Sequence, residues 1–218
     1  MSATGVQTAL ATVLVASAGV WAFAILTHGF TSLTAESARR AAVASVPVTV
    51  PRLQGVDQNG DVRDLFADPA ATARAPRVAI VDFIYTQCNG VCSALGSIYQ
   101  QLQSKIRERG LEDEVRLISV GFDPSRDTPA ALAQYAARMH ADSRLWTVTA
   151  PLRPAQLPSL LSTFGIVVVP ADVPGQFQHN AAFHVLDADG RLARIVDADD
   201  PVAALEEAIA IGRGSARP

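Results

Sequence analysis

Positive charge is sparse in this sequence and nowhere concentrated. Lys105 is the only lysine in 218 residues, no basic run occurs, and the formal net charge is -3. Proteins that bind nucleic acid through its phosphates carry a basic patch or stripe. The composition therefore excludes DNA and RNA from the expected partners.

Cysteine is equally scarce. Only Cys88 and Cys92 occur, four positions apart. Two cysteines cannot build the framework of several disulfides that holds small secreted domains together. A close pair in an otherwise cysteine-free chain points instead to metal binding or redox chemistry, and the alternative is two unrelated core cysteines.

The N-terminal part lacks charge altogether. The run from Val6 to Thr27 contains no charged residue, and about 20 apolar residues span a bilayer as a helix. We predict a transmembrane anchor over residues 1–28, a tether over 29–46, one folded domain over 47–212 and a tail over 213–218. The alternative for the apolar run is a cleaved signal peptide.

The rest of the chain alternates between strand and helix patterns. An apolar run, RVAIVDFIYT, predicts a central strand that leads directly into Cys88, and an amphipathic helix then runs from Cys92 to Gly110. Further strands and helices follow, ending in a hairpin and a helix from Pro201 to about Ile211. This order predicts an α/β fold, a mixed sheet flanked by helices.

The cysteine pair lies where a strand meets a helix N-terminus, which favours thiolates. Two thiolates leave a metal ion short of ligands, and imidazole is the usual third donor. Of the four histidines, His28 adjoins the apolar run and His140 ends a helix. His179 is expected in the loop before a strand and His184 inside that strand, on the opposite face.

We favour His179 as the ligand, and the alternative is that His179 and His184 are ordinary surface or hydrogen-bonded histidines. Two thiolates and one imidazole suit Cu(I), whereas structural zinc normally takes four protein ligands. A disulfide between Cys88 and Cys92 is the same site without metal and oxidised. Asp123, Arg126 and Asp127 are interpreted as turn and helix-start residues, and the alternative is a functional role.

Three segments carry a resemblance to a known family: DFIYTQCNGVCSAL, ISVGFDPSRDTPAALAQYA and HNAAFHVLDADGRL. In this order and spacing they resemble the Sco/SenC copper proteins, over about residues 51–208. The resemblance implies a thioredoxin-like fold on a single-pass anchor in the inner membrane, with the domain facing the periplasm. It also implies one copper ion, Cu(I) or Cu(II), held by Cys88, Cys92 and His179.

By the same resemblance, the client is the cytochrome c oxidase subunit that carries the dinuclear copper site, with other copper or thiol-redox proteins as further partners. This chain departs from the family pattern at four positions. Asn89 and Ser93 stand where proline usually follows each cysteine, Gln178 replaces the common aspartate before the histidine, and His184 replaces a common aromatic residue.

Two other functions fit the same residues. The first is a thiol-disulfide oxidoreductase that uses Cys88 and Cys92 as its redox pair on extracytoplasmic protein cysteines. The second is a peroxidase, which needs threonine and arginine beside the thiolate; Thr86 is available, but the sequence places no arginine there. The predicted histidine ligand distinguishes a metallochaperone from a pure oxidoreductase, because the latter does not need it.

Overall fold

The structure is a computed structural model that describes residues 3–26, 34–71, 75–87, 91–173 and 176–215. The chain divides into two compact units, residues 1–45 and 46–218. In the first unit, α1 (Ala3–Leu26) covers most of the predicted anchor, and α2 (Ala35–Ser45) lies in the predicted tether. A search of the described residues finds no helix with the length and apolar character needed to cross a membrane. The predicted transmembrane helix is therefore not confirmed.

The second unit alternates strands with helices, as the sequence predicts. Its described strands are β1 (Val48–Thr49), β2 (Gln54–Asp57), β3 (Val62–Asp64), β4 (Val78–Ile84), β5 (Val115–Gly121), β6 (Trp146–Pro151), β7 (Val168–Pro170), β8 (Phe177–His179), β9 (Ala182–Leu186) and β10 (Arg191–Asp197). Its described helices are α3 (Val91–Glu108), α4 (Pro129–Arg138), α5 (Leu157–Phe164) and α6 (Pro201–Ser215), with a short 3₁₀ turn (Pro154–Gln156) before α5.

Eight of these strands form one mixed sheet in the order β1-β10-β9-β4-β5-β6-β2-β3. The neighbours β4, β5 and β6 are parallel, and the outer strands pair antiparallel. Parallel strands place their carboxyl ends at one edge of a sheet, so the residues after β4 and β5 meet there. Gln87, the last described residue before Cys88, follows β4.

Burial explains why β4 lies at the centre. All of its residues are buried, as are all of β5, because uninterrupted apolar runs fit strands that are covered on both faces. The predicted stripe of α3 packs on the sheet through Leu95, Tyr99, Leu102 and Ile106. The predicted buried strand before the cysteines and the predicted amphipathic helix after them are both confirmed.

Two local signals stand in the sequence, Asn59-Gly60 as a tight-turn dipeptide and Thr128-Pro129 as a helix start, and the structure confirms both. Gly60 has φ +83° in the turn between β2 and β3, a conformation that glycine adopts without strain. Thr128 caps α4, with its hydroxyl accepting a hydrogen bond from the amide of Ala131 at 3.3 Å. The last helix is longer than predicted and extends to Ser215.

One region differs from the sequence-based expectation. The segment around His179 was expected to be a loop, but β7 and β8 form a separate two-stranded antiparallel sheet, with Val168 opposite His179. The pairing explains the difference: each strand is only three residues long, too short to show an alternating pattern. His179 therefore ends a strand.

Candidate metal centre

The cysteine turn lies between β4 and α3. Cys88 falls outside the described residues, and Cys92 is the second residue of α3, where only its backbone is described. The predicted pairing of the two sulfurs therefore stays a prediction. The structure does describe the chain up to Gln87, and so fixes where the turn begins.

His179 lies at the same edge of the molecule as this turn. Its ring packs against Phe122, which directly follows β5, with ring centroids 5.0 Å apart. Phe122 in turn packs at 5.4 Å against Tyr85, three residues before Cys88. The structure thus places the predicted imidazole ligand near the carboxyl ends of β4 and β5, where the cysteine turn starts.

An aromatic and polar cluster holds the strand that carries His179. The Tyr85 hydroxyl donates to the Gln176 side chain at 2.8 Å, and the Tyr85 ring meets Phe177 edge-on at 5.5 Å. The guanidinium of Arg126 lies over the Phe177 ring, 5.4 Å from its centroid.

On the other side of His179, the Asn180 side chain forms two hydrogen bonds. It accepts from the amide of Val167 and donates to the carbonyl of Gly165. His179 is thus held by its neighbours on both sides.

The protonation state of His179 suits a metal ligand. Its Nδ1 lies 3.0 Å from the Asn180 carbonyl oxygen, and a carbonyl only accepts, so Nδ1 carries the proton. In the neutral ring the lone pair is then on Nε2. Burial lowers the pKa of His179, although the hydrogen bond to Asn180 offsets part of this effect. The neutral ligating form is therefore favoured.

His184 has a different environment. It lies inside β9, only 1% exposed, and its Nε2 is 3.0 Å from the carbonyl oxygen of Phe164. Its ring meets Phe83 and Phe164 edge-on. These contacts are those of a core histidine with a backbone partner.

The Asp123 to Thr128 segment only partly matches its interpretation as turn chemistry. Asp123 behaves as expected, because its carboxylate accepts from Ser125 and pairs with Arg126. Asp127, however, also contacts Thr86, 41 positions away, through the Thr86 amide and hydroxyl at 2.8 Å each. No local sequence pattern marks this contact, because its two residues are 41 positions apart.

An arginine is also present where the sequence placed none. Arg138 ends α4 and donates a hydrogen bond from Nη2 to the carbonyl of Thr86 at 3.0 Å. Its partner lies 52 positions away, so no local motif marks it. The cysteine turn therefore begins beside a cation.

Comparison with known proteins identifies the family. The sequence model of the SCO1/SenC family matches residues 56–211. The chain belongs to the SCO1/SenC family. A SCO1 protein homolog of Bacillus subtilis (strain 168) is 25% identical over 118 residues, which are 54% of this chain and 60% of that protein. The match thus spans less than two thirds of this SCO1/SenC relative.

Solved structures show the same fold. BsSco, described as a member of the Sco family of cytochrome c oxidase assembly proteins with a disulfide switch, superposes with a TM-score of 0.63 at 20% identity, covering 77% of this chain and 95% of BsSco. Copper-bound ScoI of Bradyrhizobium japonicum gives a TM-score of 0.58 at 21% identity, covering 74% of this chain and 98% of ScoI. The thioredoxin-like fold implied by the resemblance is confirmed.

For a SCO1/SenC protein the described donors fit part of a copper site. Within the ranges that the structure describes, no three His, Cys, Asp or Glu side chains group together as metal ligands. Neither cysteine sulfur is among the described atoms. The one described donor, His179, has the tautomer of a ligating imidazole and packs against Phe122 at the end of β5.

Proposed function

We propose that the folded domain carries one copper ion as cargo, bound by Cys88, Cys92 and His179, and delivers it to the dinuclear copper site of cytochrome c oxidase. The placement of His179 carries this proposal, because its ring packs beside the residues that lead into the cysteine turn. The copper bound in ScoI and the oxidase-assembly role of the Sco family also support it.

The ligand chemistry separates two forms of the site. Two thiolates alone can hold Cu(I) linearly, whereas Cu(II) requires additional nitrogen or oxygen donors. The Nε2 lone pair of His179 supplies such a nitrogen. Loss of His179 should therefore affect Cu(II) more than Cu(I).

We test this with the full chain, reduced and in detergent micelles, titrated with Cu(I) and with Cu(II). His179→Ala should retain weakened Cu(I) binding and lose the thiolate-to-Cu(II) absorption. Cys88→Ala or Cys92→Ala should abolish tight binding of both ions. The matched control is His184→Gln, whose side-chain amide can still donate to the Phe164 carbonyl. If His184→Gln removes the Cu(II) absorption and His179→Ala preserves it, the ligand assignment is wrong.

Thiol-disulfide exchange on the client is the second proposed activity. The disulfide switch of BsSco supports it, as does the position of Cys92 at the start of a helix. The two thiols of this chain would reduce a client disulfide, passing two electrons and two protons and ending as a Cys88–Cys92 disulfide. A Cys92→Ser or Cys88→Ser variant should then trap a mixed disulfide with the oxidase subunit. Absence of any such adduct with either variant would rule out the exchange.

We also propose that the domain works in the periplasm, attached to the inner membrane through residues 1–28. The uncharged run from Val6 to Thr27 supports attachment, since it is longer than the roughly 7–15 apolar residues of a signal peptide. A reporter fused after Pro218 should be active only outside the cytoplasm. A mature N-terminus near residue 30 would show cleavage instead of attachment.

A further inference from the structure

Thr86, two residues before Cys88, has every polar group engaged by another part of the chain. Its amide and its hydroxyl both donate to Oδ1 of Asp127 at 2.8 Å, and its carbonyl accepts from Nη2 of Arg138 at 3.0 Å. Thr86 is 6% exposed and Asp127 4%. The Asp127 carboxylate lies just before α4 and the Arg138 guanidinium lies at its end. Together they hold the two peptide groups that flank Thr86.

The carboxylate of Asp127 is itself fixed. Its second oxygen, Oδ2, accepts from the amide of Asp123 at 2.8 Å, which ties it to the end of β5. A Cβ atom built on Gly121 would meet that oxygen at 2.7 Å, so the carboxylate lies directly against the β5 backbone. A buried carboxylate that accepts three hydrogen bonds is costly to remove and leaves its donors unpaired.

Only Gln87 separates this fixed residue from Cys88. A residue held on both peptide groups cannot rotate freely, so the direction in which the chain enters the cysteine turn is set at Thr86. Closure of a bond or a chelate between two thiols is favoured when their approach is already organised. If the backbone at Thr86 could rotate freely, each thiol would meet the other at a lower effective concentration.

We propose that Asp127 and Arg138 are positioning residues that set the geometry of the cysteine pair, and through it the balance between its dithiol and disulfide forms. The inference rests on the proposed role of Cys88 and Cys92 as the working pair, but it does not require copper. Neither residue needs to touch the metal or the sulfurs.

The test is a redox titration of the metal-free full chain in glutathione buffers, read by thiol labelling. Asp127→Asn keeps the size of the side chain but leaves its amide nitrogen unable to accept. We expect the equilibrium constant for forming the Cys88–Cys92 disulfide to fall about tenfold, which for a two-electron couple is about 30 mV. Arg138→Gln, at an exposed position, should shift it in the same direction by a smaller factor.

The control is Asp57→Asn at the turn between β2 and β3. Asp57 is also 4% exposed and its carboxylate also accepts from two backbone amides, of Asn59 and Asp61. This variant should lose stability and leave the disulfide equilibrium unchanged. Thr86→Ser, which keeps the amide and a hydroxyl, should behave like the parent chain.

If Asp127→Asn and Arg138→Gln both leave the equilibrium constant within twofold of the parent value, the inference is wrong. If Asp127→Asn fails to fold, Arg138→Gln and Thr86→Val decide in its place. The inference is then overturned if the equilibrium constant is unchanged in both of these variants. If the parent chain does not bind copper, the proposed copper cargo is wrong. That result would not change the equilibrium constant for the Cys88–Cys92 disulfide, which is measured without metal.

Discussion

Asp82 should make the folded domain less stable as the pH rises, and Asp82→Asn should remove that effect. The side chain lies in the middle of β4 and is 1% exposed. Neither carboxylate oxygen forms a hydrogen bond with the described residues. Burial raises the pKa of Asp82 from 3.8 to about 7, although the nearby hydroxyls of Ser119 and Tyr99 offset part of the rise.

The sign follows from proton linkage. Between pH 3.8 and about 7 the folded chain keeps a proton on Asp82 that the unfolded chain has released. The free energy of unfolding therefore falls as the pH rises through this window. The stabilisation that comes from the proton on Asp82 is complete only below pH 3.8, the pKa in the unfolded chain. A rise of about three pKa units corresponds to about 4 kcal/mol above pH 7.

Asparagine cannot ionise, so the penalty is absent from the variant at every pH. We expect the free energy of unfolding of Asp82→Asn, relative to the parent chain, to increase by about 3 kcal/mol between pH 5 and pH 8.5. His179, whose lowered pKa acts in the opposite direction, is common to both proteins and cancels in the difference. Tyr99 faces this site, and because burial raises its pKa well above the usual range it stays neutral throughout.

The assay is urea unfolding at several pH values, with Asp199→Asn as the control because it changes the net charge equally at an exposed position. The control difference should not vary with pH. If the two stability curves of Asp82→Asn and the parent chain run parallel from pH 5 to 8.5, Asp82 does not retain its proton in the fold and the reasoning fails.

Three further outcomes are expected. Cys88 and Cys92 should form a reversible disulfide in the metal-free protein under mild oxidant, and thiols that stay labelled after such treatment would contradict this. Gly121→Ala should destabilise the domain by about 1–3 kcal/mol, measured by urea unfolding, because its new methyl group meets the Asp127 carboxylate at 2.7 Å; unchanged stability would show that the carboxylate moves freely. Asn180→Ala removes the hydrogen bonds to Val167 and Gly165 and should weaken Cu(II) binding severalfold with little effect on Cu(I), whereas equal losses for both ions would refute a role through His179.

Much of the fold follows from local sequence pattern. The apolar run of β4, the stripe of α3 and the cap at Thr128 each record a local physical requirement, and each element lies where that requirement predicts. The sheet formed by β7 and β8 does not follow from pattern, because its three-residue strands are fixed by cross-strand pairing and by the hydrogen bonds of Asn180. His179 was consequently expected in a loop.

The proposed site can be inferred from the chemistry of its residues, whereas its supporting contacts cannot. Cys88, Cys92 and His179 stand out because soft donors are rare in this chain. Asp127 was hidden because an aspartate before Thr-Pro already has a local explanation, and its partner Thr86 is 41 positions away. The consequence of Asp82 was likewise hidden, since one acidic residue in an apolar run shows neither its burial nor its missing partners.

The proposed ligands come from different elements of the chain, which bears on how such a site could release its cargo. The start of the cysteine turn is held by Asp127 and Arg138, whereas His179 belongs to a small sheet held by Asn180 and by the ring contacts of Phe122 and Phe177. Movement of the small sheet would withdraw the imidazole and leave two thiolates, a set that still holds Cu(I) but no longer suits Cu(II). Under the proposed function, a client that displaces this sheet would meet copper in its two-coordinate Cu(I) form, open to attack by the client's own ligands.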